Sequence, residues 1–210
     1  VLTPDSEDEV APLVATCIGE GLTVIPRGGG TGYTGGAVPL DCRSAVLNTE
    51  KLDHISAVET IELPGVAEPV TTVHVGAGAV TRRVGERAEE NDLVFAVDPT
   101  SQEASTVGGT ISMNAGGKKA VLWGTTLDNI ASYRMITAAA KWIEVERVGH
   151  NLGKLDEQEH VEFRVTHYES DGKTQIGNPE VLTFESSSFR KTGLGKDVTD
   201  KHLGGLPGVQ

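Results

Sequence analysis

Glycine carries most of the chemical information in this sequence. There are 26 glycines in 210 residues, and they cluster: six within Arg27–Gly36, four within Gly108–Gly117 and five between Gly193 and Gly208. Glycine lets a backbone turn sharply or approach another group closely. A run of backbone N–H groups without side chains in the way forms a concave anion site. One run, Gly30-Thr31-Gly32-Tyr33-Thr34-Gly35, formally matches G-x-G-x-x-G and has Glu50 further along the chain, as a dinucleotide fingerprint would. That fingerprint also needs a helix directly after the loop, aimed at the pyrophosphate. Only Ala37 to Ser44 separate this loop from the next apolar run, and Pro39 interrupts them, so the helix does not fit. No G-x-x-x-x-G-K-[ST] occurs either. What survives is the anion cradle itself. Three loops of this kind (27–36, 98–101 and 107–117), two of them starting at the end of an apolar run, favour one extended anionic ligand over three unrelated tight turns. A dinucleotide with a pyrophosphate in its middle suits them.

The elements that must position these loops can be read from periodicity. Val1-Leu2-Thr3-Pro4 reads as a short strand. Asp5-Ser6 then open a helix with Glu9 at capping-box spacing, and Val10, Leu13, Val14, Cys17 and Ile18 repeat at helical intervals. Gly19 and Gly21 end it. Leu22–Pro26 is a strand feeding the first glycine loop, and Ala45–Asn48 is another, so the first part is a compact β-α-β unit ending near His54-Ile55. The second region has a strand at Thr72–Val75, a helix over Thr81–Asn91 with Val84 and Ala88 inward, and a strand at Val94–Val97 leading to Asp98-Pro99-Thr100-Ser101. Ser132–Val148 reads as mostly strand. From Asn151 to Glu185 the alternation is short and polar, which predicts an exposed hairpin. The expected division is an N-terminal lobe, 1–65, and a second α+β lobe, 66–210, with a hairpin insertion near 146–190. The chain begins at Val1 and stops on Leu206-Pro207-Gly208-Val209-Gln210 without a closing element, which suggests a piece cut from a longer polypeptide.

Taken in order, Pro26-Arg27-Gly28-Gly29-Gly30-Thr31-Gly32, Asp98-Pro99-Thr100-Ser101, Thr106-Val107-Gly108-Gly109-Thr110, Asn114-Ala115-Gly116-Gly117, and Gly124 with Asp128-Asn129-Ile130 resemble the FAD-linked oxidase family. This is the p-cresol methylhydroxylase (PCMH) and vanillyl-alcohol oxidase type of FAD-binding domain, in a branch similar to D-lactate and glycolate dehydrogenases. The resemblance implies an α+β fold of two lobes with FAD stretched between them, and a cap domain that is absent here. It implies that Pro26, Arg27, Gly28, Gly29, Gly30, Thr31 and Gly32 wrap the pyrophosphate. Pro99, Thr100, Ser101, Gly108, Gly109 and Ser112 would lie near flavin and pyrophosphate. Asn114, Gly116 and Gly117 would continue that wall, and Gly124, Asp128 and Ile130 would close it toward the adenosine. Relatives that attach flavin covalently use a histidine just after the glycine run; here that place is Thr31, so non-covalent FAD is expected. Two features depart from the family: the insertion near 146–190, and Gly204-Gly205-Leu206-Pro207-Gly208 in place of a G-S-E-G-T-L-G-like closing run after Asp197-Val198-Thr199. Large fused bacterial flavoproteins with iron–sulfur segments downstream resemble such a variant.

The implied reaction is dehydrogenation of a 2-hydroxy acid, with the small-molecule substrate held through the missing cap domain and electrons leaving to an unidentified acceptor. No catalytic residue is assigned within these residues, and the piece alone is expected to be inactive. A non-catalytic nucleotide-binding or interaction module that keeps the fold is the alternative. A reductase of a nucleotide-sugar enol ether is a third reading, which the 98–101 and 114–117 segments disfavour.

Composition narrows the partners. With 18 Lys+Arg against 30 Asp+Glu the net charge is −12, which argues against nucleic acid and anionic membrane surfaces. Neutral amide donors, rather than lysines, would carry the phosphates. Two cysteines, Cys17 and Cys42, exclude a disulfide scaffold or a four-cysteine metal site within these residues. No apolar run approaches the roughly 18 residues of a membrane span, and a cytoplasmic protein is expected. Arg27 can either bind a phosphate or brace the loop. His150, His160 and His167 have no ligand spacing and read as a solvated hairpin rather than a metal site. Trp123 can stack near a cofactor, but packing between elements is the simpler reading.

Overall fold

A computed structural model describes residues 1–185; the expected closing motif around Asp197–Gly208 lies outside the described residues. The chain opens with Leu2, which makes a parallel bridge to Leu47 in place of the expected strand. A 3-10 turn at Glu7–Glu9 then leads into helix α1 (Val10–Gly19). The capping box does not form. The Ser6 side chain caps nothing, while the Glu9 carboxylate accepts the Asp5 N–H at 2.9 Å. Val10, Ala11, Val14 and Cys17 are buried along one face, as the spacing predicts, but Ile18 is 44% exposed because it falls one position past that stripe.

Strands β1 (Thr23–Arg27) and β2 (Ser44–Asn48) pair in parallel, Arg27 opposite Asn48. α1 packs on them through Val10, Val14 and Leu47, and this cluster reaches Ala140 and Ile136 in the second half of the chain. An antiparallel hairpin follows, β3 (Ile55–Ile61) with β4 (Val70–Val75). β3 has no clean alternation in sequence, and its pairing is bulged between Ile55 and Val58. Helix α2 (Thr81–Glu89) buries Thr81 and Val84 against that hairpin and against α3 (Val107–Ser112), through Ala79, Val107, Val73 and Val75.

Val94–Val97, expected as a strand, makes no ladder. Its apolar character serves side-chain burial at Ala96 and Val97, and the Phe95 carbonyl is satisfied by the Lys119 ammonium (3.1 Å) instead of a neighbouring strand.

Two four-residue helices, α4 (Ala120–Trp123) and α5 (Thr126–Asn129), lead into an antiparallel sheet in chain order: β5 (Ser132–Ile136), β6 (Trp142–Val148), β7 (His160–Tyr168) and β8 (Gln175–Glu185). The expected hairpin is β7–β8, but it is not an exposed appendage. β6 pairs along its whole length with Glu162–Tyr168 of β7, and Val161, Phe163 and Val165 join Leu127, Val145 and Leu155 in a core cluster. The period-2 alternation of β7 buries one face; only the edge strand β8 matches the expected exposure. Among the described residues no helix is long and apolar enough to cross a membrane.

Candidate functional site

The glycine loops meet. β1 ends at Arg27, and the loop it feeds packs on the turn before α3. A Cβ on Gly28 would overlap Thr106 Oγ1, and one on Gly29 would overlap the Ala104 carbonyl. α3 packs next to residue 77, where a Cβ on Gly108 would lie 2.9 Å from Ala77 Cβ. Farther along, a Cβ on Gly117 would overlap the Asp98 carbonyl, and one on Gly116 would crowd Thr125 Cγ2 at 3.2 Å. Close backbone approach therefore accounts for Gly28, Gly29, Gly108 and Gly117 before any ligand is invoked. It also stitches residues 27–29, 98–109 and 114–125 into one continuous wall. Where the first loop meets residues 104–106 there is a groove of about 490 Å³, whose other side carries Asn48, Glu50, Asp53 and Arg83.

The wall exposes backbone donors. The N–H groups of residues 29–37, of Thr100 and Ser101, and of Gly116, Gly117 and Lys118 find no acceptor among the described residues. Gly30 and Gly35 hold φ of +66° and +68°, so the loop curls in a way that side-chain-bearing residues rarely adopt. A Cβ on Gly32 would meet nothing within 4 Å. Ser112 adds a buried hydroxyl with no partner. Runs of amides without protein acceptors are the donor set that an anionic, phosphate-bearing group requires, and the residues present fit the pyrophosphate of FAD.

Other expected site residues are committed to the protein itself. The Gly108 N–H donates to Ala77 O (2.9 Å) and the Gly109 N–H to Thr106 Oγ1 (3.4 Å), which caps α3. Asn114, at φ 43°, ends α3 in the left-handed region and is buried. Its Oδ1 accepts the Leu127 N–H at 2.9 Å. Asp128 forms a capping box with Thr125 at the start of α5; its Oδ2 accepts from Thr125 N (2.7 Å) and its Oδ1 from Leu155 N (2.7 Å). Gly124, at φ +79°, leaves room for that carboxylate. Ile130 follows α5 as its C-cap, and Pro26 lies within β1 opposite Leu47. Pro99 is buried beneath the turn, where its carbonyl accepts the Gln102 N–H (2.9 Å). Arg27 and Thr31 are exposed at the loop, and the Arg27 carbonyl accepts the Thr49 N–H (2.9 Å).

Two residues behind the wall escaped the sequence reading as parts of the site. Arg147 is 1% exposed and His150 8% exposed, so His150 is no solvated hairpin residue. Burial lowers the Arg147 guanidinium to about 10, partly offset by the field of Asp128. Burial, and then the Arg147 charge, lower His150 to about 4. Strand alternation offered a signal for Arg147, which shares the inward face of β6 with Val145. The Thr125-x-x-Asp128 spacing likewise announced the α5 cap. Trp123 is 42% exposed on α4, so it does not pack between elements. Among the described residues no group of three or more His, Cys, Asp or Glu side chains is placed to hold a metal ion.

Comparison with known proteins agrees with this arrangement. Residues 1–146 match the family described as FAD binding domain. The chain is similar to glycolate oxidase subunit GlcD of Bacillus subtilis, 27% identical over 73% of this chain and 30% of that protein. It is also similar to D-lactate dehydrogenase of Archaeoglobus fulgidus, 33% identical over 69% of this chain and 30% of that protein. The chain thus spans under a third of the length of these relatives. Among solved structures, a berberine bridge enzyme variant in complex with (S)-reticuline aligns with a TM-score of 0.55 at 21% identity, over 68% of this chain and 27% of the other. The 6-hydroxy-D-nicotine oxidase of Arthrobacter nicotinovorans aligns at 0.52 and 20% identity, over 66% and 28%. These likenesses bear out the α+β, PCMH-type fold expected from the order of the motifs.

Proposed function

The chain belongs to the FAD binding domain family, and from that premise we propose that it is the FAD-holding part of a longer dehydrogenase acting on a 2-hydroxy acid of the D-lactate or glycolate type. One observation carries the cofactor half of this reading: three runs of backbone N–H groups without protein acceptors, at residues 29–37, 100–101 and 116–118, lie along one wall. Amide donors stabilise a diphosphate by charge-assisted hydrogen bonds without placing a lysine there, which suits a chain of net charge −12. The substrate half rests on likeness to the glycolate oxidase subunit and the D-lactate dehydrogenase.

In this reading residues 1–65 and 66–210 act as two lobes. The first loop, Arg27 to Gly32, cradles the diphosphate; Thr100, Ser101 and Ser112 supply hydroxyl donors; and Gly116 and Gly117 extend the amide surface. Gly108, Gly109, Asn114, Gly124, Asp128 and Ile130 hold that surface in place. Thr31 offers no nucleophile suited to flavin attachment, so the cofactor is held without a covalent bond. When bound there, FAD would supply the two-electron oxidant for the hydroxy acid, with a separate acceptor as the final electron sink. Substrate carboxylate and base contacts come from parts of the longer polypeptide.

The test uses the full-length protein. A visible flavin band that bleaches on anaerobic addition of D-lactate or glycolate is expected, with all flavin released on acid precipitation. A flavin band indifferent to every short 2-hydroxy acid would replace the dehydrogenase with a non-catalytic flavin-binding module. Absence of any FAD binding would remove the reading altogether.

A further inference from the structure

Arg147 is the largest fully buried side chain, and among the described residues it has no carboxylate within ion-pair distance. Its guanidinium is spent on neutral oxygens. Nη1 donates to the Asp128 carbonyl (3.3 Å), and Nη2 donates to Asn151 Oδ1 (2.5 Å) and Gln158 Oε1 (2.8 Å). Nε has no partner. Burying a charge on these terms is costly, so the arrangement calls for a gain elsewhere.

That gain is visible at Asp128, which is gripped from both ends. Its carboxylate receives Thr125 N–H, Thr125 Oγ1–H and Leu155 N–H. Its carbonyl receives Arg147. His150 packs at the same corner: Nδ1 accepts the Leu152 N–H (2.8 Å), and Nε2 lies 3.3 Å from Arg147 Nη1. From α5 the grip passes forward. Asn114 Oδ1 accepts Leu127 N–H (2.9 Å), and Thr126 donates through both N–H (2.9 Å) and Oγ1 (2.7 Å) to the Ala115 carbonyl. The next residues are Gly116, Gly117 and Lys118, whose amides have no acceptor among the described residues.

We propose that Arg147, assisted by His150, Asn151 and Gln158, is a positioning residue that locks the amide surface at 114–118 through Asp128. The family match ends at residue 146, and the contacts of Arg147, His150, Asn151 and Gln158, just beyond it, land on the back of the cofactor wall. An arginine fits this task because its planar fork reaches several acceptors at once, which a lysine ammonium cannot do from one position. The functional consequence rests on the FAD reading above; the mechanical one does not.

Two readouts on the full-length protein separate these. In Arg147→Met, and to a lesser degree in Asn151→Ala, exchange of the hydrogen-bonded amides of Asn114, Ala115 and 124–128 is expected to speed up about tenfold or more, while α1, β1 and β2 keep wild-type rates. A change that merely loosened the fold would raise exchange in all of these. The FAD dissociation constant is expected to rise by a similar factor, and Arg147→Lys does not restore it. Unchanged exchange at Asn114, Ala115 and 124–128 in both variants overturns the proposal, and if Arg147→Met does not fold, Asn151→Ala decides it. Wild-type protein that takes up no FAD would sink the cofactor reading while the exchange data still judge the clamp. Faster exchange with an unaltered FAD dissociation constant would overturn the link between the two.

Discussion

Gly32 and Gly29 sit three residues apart in one loop, and the structure assigns them opposite sensitivities. A side chain at Gly32 meets nothing within 4 Å, and the residue is not among those with positive φ. Gly32→Val is therefore expected to leave the flavin-free protein within about 0.5 kcal/mol of wild type, as an unencumbered surface change does. The same side chain would stand where the loop amides face a diphosphate. Losing two charge-assisted hydrogen bonds at roughly 1.5–3 kcal/mol each weakens FAD binding by about 100-fold or more. Gly29 differs. Its Cβ would lie 2.8 Å from the Ala104 carbonyl carbon and 3.1 Å from Ser105 Cα, and closer still to the Ala104 oxygen. All of these are backbone atoms of the turn before α3, so no side chain can swing aside. Gly29→Ala should cost about 1–3 kcal/mol by overpacking, and 2 kcal/mol lowers the melting temperature of a domain this size by about 4–8 °C. The assay is thermal melting of both variants with and without FAD, together with flavin titration. Wild-type FAD affinity in Gly32→Val would refute the proposed cradle; wild-type melting of Gly29→Ala would refute the packing argument.

Ser112→Ala removes a buried hydroxyl that has no partner in the protein. It should raise the flavin-free melting temperature, by about 1 kcal/mol of stability, and lower the further rise on adding FAD; identical shifts in both states would show that the hydroxyl serves no ligand. Thr125→Ala breaks the capping box of α5 and should cost about 1 kcal/mol, read by chemical denaturation. His150 gives a pH dependence. Its folded value of about 4 lies below the roughly 6.5 of an unfolded histidine, so the unfolded chain takes up the proton first. Its contribution is complete above pH 6.5, declines as pH falls toward 4, and amounts to roughly 3 kcal/mol. Denaturation curves of wild type and His150→Gln between pH 4 and 7 should converge or diverge by that amount; parallel curves would contradict it.

Local pattern made much of this protein legible. The apolar stripe of α1, the strand character of β1 and β2, a helix starting at Thr81 and the order of the glycine segments all follow from spacing along the chain. Such signals are short-ranged, as helix and strand periods are, and the order of motifs sufficed to recognise the family. Long-range pairing decided the rest. Val94–Val97 looks like a strand because it is apolar, yet strandness requires a partner ladder, and Lys119 took the Phe95 carbonyl first. β7 looks polar and exposed because only one of its faces is apolar, and only the sheet reveals that this face closes a core. His150 was read from its polar neighbours, whereas its burial comes from Arg147 and Asp128, distant in sequence from one another. The glycines divide on the same ground. Sequence marked them all as places of close approach, but whether the approaching group is backbone, as at Gly29 and Gly117, a side chain, as at Gly28, or nothing within 4 Å, as at Gly32, depends on contacts between segments far apart in the chain, and those exist only once the chain has folded.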